Sequence, residues 1–194
     1  MSSTQPVSTV FQPLDLDRPL LAIAAFAGLV GVAVGSRFLE IAPNFAGVAA
    51  AALLAGVVFR SRAVALGVPL TAMLISDLWL GGYAPLVMLA VYACLAAPAL
   101  LGRLLGQRPG VARLLTTGVG CSTLFFLVTN FAVWLTGGGI GSGRTLAGLV
   151  ECYLAAIPFY RMTVLGDLAF IAALFGVREL AGRVWLSRPA VAGT

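Results

Sequence analysis

The chain has 194 residues, of which 60% are hydrophobic and only 10% charged, and its mean hydropathy is +1.03. A water-soluble domain carries roughly 25% charged residues, so this composition excludes an ordinary soluble enzyme and indicates one compact, all-α integral membrane domain. The net charge of +5 does not mark a nucleic-acid partner: all twelve basic residues are Arg, and they fall between apolar segments, where membrane topology explains them better than phosphate tracking.

Residues 1–18 form a polar leader with Asp15, Asp17 and a single basic residue, Arg18. It lacks the basic start of a signal peptide and reads as a short disordered tail on the cytoplasmic side. Residues 19–187 form the transmembrane domain, and residues 188–194 a second cytoplasmic tail. Six apolar segments follow, at about 20–35, 45–59, 63–80, 84–105, 114–135 and 162–185. A helix crossing the hydrocarbon core needs about 20 apolar residues. The last three reach that length. The first three are shorter, which predicts tilt, or helices broken and packed inside the bundle.

Placing the N-terminus in the cytoplasm puts nine Arg inside and three, Arg37, Arg144 and Arg161, outside. The positive-inside rule therefore favours a six-helix bundle with both termini cytoplasmic. The outer loops then collect most of the remaining polar groups. The first runs from 36 to 45 and the second from 76 to 85. The third spans 136–161 and opens on a glycine-rich hinge at 137–143. Residues 145–157 read as a short helix across the outer face, which Pro158 breaks before the final span. A long hinged loop of this kind suits a lid.

Charges beside an apolar span are costly unless paired, hydrated or used. The stretch 75–83 places Asp77, Trp79 and Tyr83 at the mouth of the third span. Asp77 reads either as a solvated loop acid, or as a ligand anchor or ion-pair partner for Arg37 or Arg161. Asp167 falls inside the sixth span, where it serves a structural pair or a pocket. Arg37 and Glu40 are three apart and suit a helix-end pair. Asn44, after Pro43, suits a helix cap. Asn130 and Trp134 share a helix face; the Trp suits the interfacial belt, and the deeper Asn a bond to another helix or a ligand. Glu151, Tyr153, Tyr160 and Arg161 either close over a solute or anchor at headgroups. Ala24 and Gly28, with Ala27, Gly31 and Gly35, repeat small residues every four positions. That spacing permits close helix approach, within the chain or to a partner.

Cys94, Cys121 and Cys152 have no C-x-x-C spacing, and Cys94 and Cys121 read as small core residues. The absence of His removes imidazole catalysis and His metal sites. There is no Walker phosphate loop, no G-x-S-x-G and no H-E-x-x-H. No catalytic residues, metal or cofactor are expected.

Several strings carry a family resemblance: Pro43-Asn44-Phe45 opening an Ala-rich span, the 76–79 and 129–134 segments, and 152–161 followed by Gly166-Asp167. From about Ser36 to Phe170 the chain resembles an uncharacterised family of bacterial transport proteins. That family is thought similar to the substrate-capture (S) components of energy-coupling-factor transporters. The resemblance implies six helices and a pocket near the outer surface for a vitamin or its precursor. It also implies docking of the first helix, through Ala24, Ala27, Gly28 and Gly31, on a transmembrane scaffold driven by two ATPases. The family's A-x-x-x-A is approximated here by Ala24-x-x-x-Gly28.

The expected function is capture of a small solute by Arg37, Glu40, Asn44, Asp77, Trp79, Asn130, Tyr153, Arg161 and Asp167. The alternative is an accessory or assembly subunit of a larger membrane complex.

Overall fold

The computed structural model describes residue 14 and residues 19–39, 41–138 and 143–186. It is all-helical apart from one isolated bridge. The helices are α1 (Pro19–Phe38), α2 (Val48–Val58), α3 (Arg62–Leu80), α4 (Pro85–Leu104), α5 (Val111–Thr136) and α6 (Leu146–Leu186). Four of them, α1, α3, α4 and α5, are long and apolar enough to cross a membrane.

The apolar composition leaves no polar face to aim helices with, so packing is set by residue size. The short α2 is the axis of the bundle. Nine of its eleven residues are buried, four of them alanines, and α1, α3, α4 and α6 all pack on it, α4 most extensively. Gly56 of α2 and Gly102 of α4 make that crossing intimate. A Cβ on Gly56 would lie 2.1 Å from the Ala99 carbonyl oxygen, and one on Gly102 would lie 2.2 Å from that of Leu53. Two backbones in direct contact tolerate only glycine at such points.

Eleven residues rise about 16 Å, roughly half of a hydrocarbon core about 30 Å thick. The expected packing of a short helix inside the bundle is therefore what α2 does. By contrast, α1 and α3 extend beyond the apolar stretches that mark them in sequence and reach 20 and 19 residues. Carbonyls at the end of α2 and just after it are answered from α4 and beyond. Gln107 Nε2 donates to the Val57 carbonyl at 2.6 Å, and Arg103 Nη1 to that of Arg60, two residues past the helix, at 2.6 Å. Leu14 of the leader bridges to Phe59, its N–H donating to the Val58 carbonyl at 2.7 Å.

One expectation is overturned. The separate short helix at 145–157 and its break at Pro158 do not occur; α6 runs unbroken for 41 residues with Pro158 inside it. A proline costs a helix one hydrogen bond and a clash with the preceding turn. Here Pro158 is on an exposed face, while both flanking turns are fixed to α5. Tyr153 Oη donates to the Leu127 carbonyl at 2.7 Å, and the Tyr160 and Thr123 hydroxyls meet at 2.9 Å. The third connection accordingly shrinks to 137–145, and its residues 139–142 lie outside the described part of the chain.

Candidate functional site

The irregular segment leading into α2 borders a cavity of about 610 Å³. Val48 and Ala49, in the first turn of α2, line it. Segment 42–46 and residues of α3, α4, α5 and α6 complete its walls.

Local chemistry fixes the irregular segment. Ser36 Oγ accepts the Gly47 N–H at 2.8 Å while donating to the Ala33 carbonyl of its own helix at 2.8 Å. Gly166 lets α6 press against the same segment, since a Cβ there would sit 3.2 Å from Phe45 Cα. The Phe45 and Phe170 rings meet at 5.9 Å. Asn44 takes a left-handed conformation, φ 63°, which is costly for most residues and least so for Asn, Asp and Gly. It does not cap α2 as its position after Pro43 suggests; Gly47 holds the cap position, with no side-chain cap bond.

Two ionic groups reach the cavity. Arg37 ends α1 and pairs with Asp77 of α3, Nη1 to Oδ1, at 2.7 Å. The same nitrogen donates to Ser76 Oγ and contacts Met73 Sδ at 3.1 Å. Met73, Ser76 and Asp77 are spaced i, i+3, i+4 and so share one face of α3. Tyr92 Oη of α4 donates to Asp77 Oδ2 at 3.0 Å, so the carboxylate is held on both oxygens. Nearby, Tyr83 lines the cavity from the α3–α4 connection. Burial first, then the Asp77 charge, push its phenol above its ordinary pKa, with Arg37 opposing. It therefore stays a neutral hydroxyl at physiological pH.

Asp167 of α6 is the second ionic group. It is only 3% exposed and lines the deep part of the cavity beside Cys121 and Thr163. Among the described residues its one side-chain partner is Ser122 of α5, whose Oγ lies 2.6 Å from Oδ2.

Of the nine solute-binding candidates read in sequence, Arg37, Asn44 and Asp167 line the cavity, and Asp77 stands one contact behind it through Arg37. Trp79, Asn130, Tyr153 and Arg161 are not among its lining residues. Trp79 is 80% exposed on the outer side of α3. Asn130 Nδ2 donates back to the Phe126 carbonyl of its own helix at 2.8 Å, rather than to another helix. Tyr153 is used in the α5–α6 contact, and Arg161 is exposed. Glu40 lies outside the described residues. The small residues Ala24, Ala27, Gly28 and Gly31 all face outward, and nothing lies within 4 Å of where a Cβ on Gly28 or Gly31 would stand. Among the described residues they therefore make no packing contacts of this kind.

Sequence reading passed over Ser76, Tyr92, Ser122 and Thr163. Ser76, Ser122 and Thr163 are hydroxyls in apolar helices, where such residues usually bond their own preceding turn, and Tyr92 stands in an apolar run with no polar neighbour in sequence. Ser76 stands beside Asp77, which is the one local cue.

Among the described residues, fold and cavity define an all-helical protein with four helices suited to a bilayer and a partly open cavity lined by Arg37 and Asp167. The chain belongs to DUF6580, a family of unknown function, whose model matches residues 18–190. No curated protein matches the chain, and no solved structure matches it.

Proposed function

We propose that this protein captures a small solute in the cavity between the α1–α2 segment and α4–α6, as a membrane transport subunit. The observation that carries the reading is the cavity itself. Its volume of about 610 Å³ falls within the range of roughly 300–1,000 Å³ that suits small molecules. Its walls are mainly apolar and aromatic, from Phe45, Tyr83 and Phe125, with a few convergent polar groups. Keeping Asp167 in such a place is costly, and intramembrane acids are retained for use.

On this reading six segments traverse a bacterial inner membrane, with α2 completed by the segment that precedes it. Both termini are cytoplasmic and the cavity opens outward. The likeness to S components adds a vitamin or precursor as solute, and a scaffold with two ATPases as partners. No catalytic role is proposed. The outward stripe of Ala24, Ala27, Gly28 and Gly31 suits docking on that scaffold, and it equally favours the second reading, an assembly subunit without a solute.

Native mass spectrometry of the protein purified in mild detergent tests the choice. A co-purified small molecule, lost when Ala49→Phe fills the chamber, is the expected result. An empty protein that co-purifies only with another membrane subunit supports the assembly role.

A further inference from the structure

We propose that the solute is a small, ring-bearing organic cation whose protonated nitrogen binds the Asp167 carboxylate. This rests on the capture reading and adds the chemical class of the ligand.

The inference comes from charge balance around the cavity. Arg37 is the basic residue among those lining it, and its charge is matched by Asp77 at 2.7 Å, with Tyr92 and Ser76 completing that cluster. The cluster is therefore neutral as a unit. Asp167 has no such match. Among the described residues no cation lies within ion-pair distance of it, and Ser122, its hydrogen-bond partner, is a neutral hydroxyl. The N-terminus of α2 borders the same space through Val48 and Ala49. A helix end supplies about half an elementary charge, so it offsets Asp167 only in part. An anionic solute would meet two carboxylates against one committed guanidinium. A cation would supply what the chamber lacks.

The walls agree with this. Phe45, Phe125 and Tyr83 offer aromatic faces, which attract cations. Met73, Cys94 and Cys121 add polarizable sulfur on an otherwise apolar surface. A bare divalent metal ion is a poorer fit. Among the described residues Asp167 is the single carboxylate lining the chamber, Ser122 and Thr163 add only neutral oxygens, and a divalent site takes six or more oxygen ligands, usually with several charges.

The test uses matched probes on the full chain in a neutral maltoside detergent at pH 7. Tryptamine, tyramine and benzamidine are each compared with a neutral isostere (tryptophol, tyrosol, benzamide) and an anionic one (indole-3-acetate, 4-hydroxyphenylacetate, benzoate). Binding is read by calorimetry and by shift of the melting temperature. Within at least one set, the cation is expected to bind at least about tenfold tighter than its neutral partner, with the anion weakest. Asp167→Asn should erase the cation's advantage over its neutral isostere. The ranking on the unmodified protein stands as a test even where that variant folds poorly.

Equal or tighter binding by the neutral or anionic probes overturns the cation assignment and leaves the capture reading in place. Persistence of the cation's advantage in Asp167→Asn removes Asp167 from it. No binding of any probe, with Ala49→Phe indistinguishable from the parent protein, overturns both.

Discussion

Arg37 reaches three side chains of α3 through a single nitrogen, and the ion pair it makes is largely shielded, with side-chain exposures of 18% for Arg37 and 6% for Asp77. Removing one member of such a pair strands the other charge in a poor solvent, at a cost of about 3–5 kcal/mol. Arg37→Ala is therefore expected to lower the melting temperature sharply, and Arg37→Ala with Asp77→Leu to recover much of the loss. A single variant as stable as the parent would mean that water already reaches the pair. Scarcity made these residues legible in sequence. In a chain with so few charges, Arg37, Asp77 and Asp167 drew attention simply by being ionic, and Arg37 and Asp77 close helices that end on the same side. Their hydroxyl partners carried no comparable signal, because nothing local tells a serine bonded to its own turn from one aimed across the bundle. Trp79 shows the opposite failure. An aromatic beside an acid reads as a binding wall, yet helix rotation turns it away from the chamber.

Among the elements, α2 was the more readable and α6 the less. The second apolar stretch is too short to span a bilayer, and its alanine content allows close approach on every side. A short buried helix follows from those two facts. The fate of Pro158 does not follow from local rules, because it depends on how firmly α5 holds the turns on either side. The α2–α4 crossing gives a sharp expectation. Gly56→Ala places a methyl against the Ala99 carbonyl, and overpacking of this kind costs about 1–3 kcal/mol or more. Lower yield and earlier thermal aggregation in detergent are the expected readouts, and unchanged behaviour would mean that the helices stand further apart.

For the whole molecule, the outward stripe on α1 separates folding from assembly. Gly28→Leu and Gly31→Leu meet open space, so the melting temperature and probe binding should stay near parent values, within about 0.5 kcal/mol. If α1 is the docking face, co-purification of a membrane partner should fall in the same variants. The all-helical class was legible from composition alone. Which faces look inward was not, since an apolar chain shows little contrast between a face meeting lipid and one meeting protein. Six helices formed, but the arrangement depends on glycine contacts such as Gly56 on Ala99 and Gly166 on Phe45, which hydropathy does not register.

The Ser36 hydroxyl bears on how long a guest stays. It ties the segment before α2 back to α1, through the Gly47 N–H, and any departure past that segment has to strain or break the tie. Ser36→Ala should therefore quicken escape and entry together. Stopped-flow kinetics with a bound probe would show a shorter residence time and a faster arrival rate at a nearly constant affinity, making one buried oxygen the timer of the chamber.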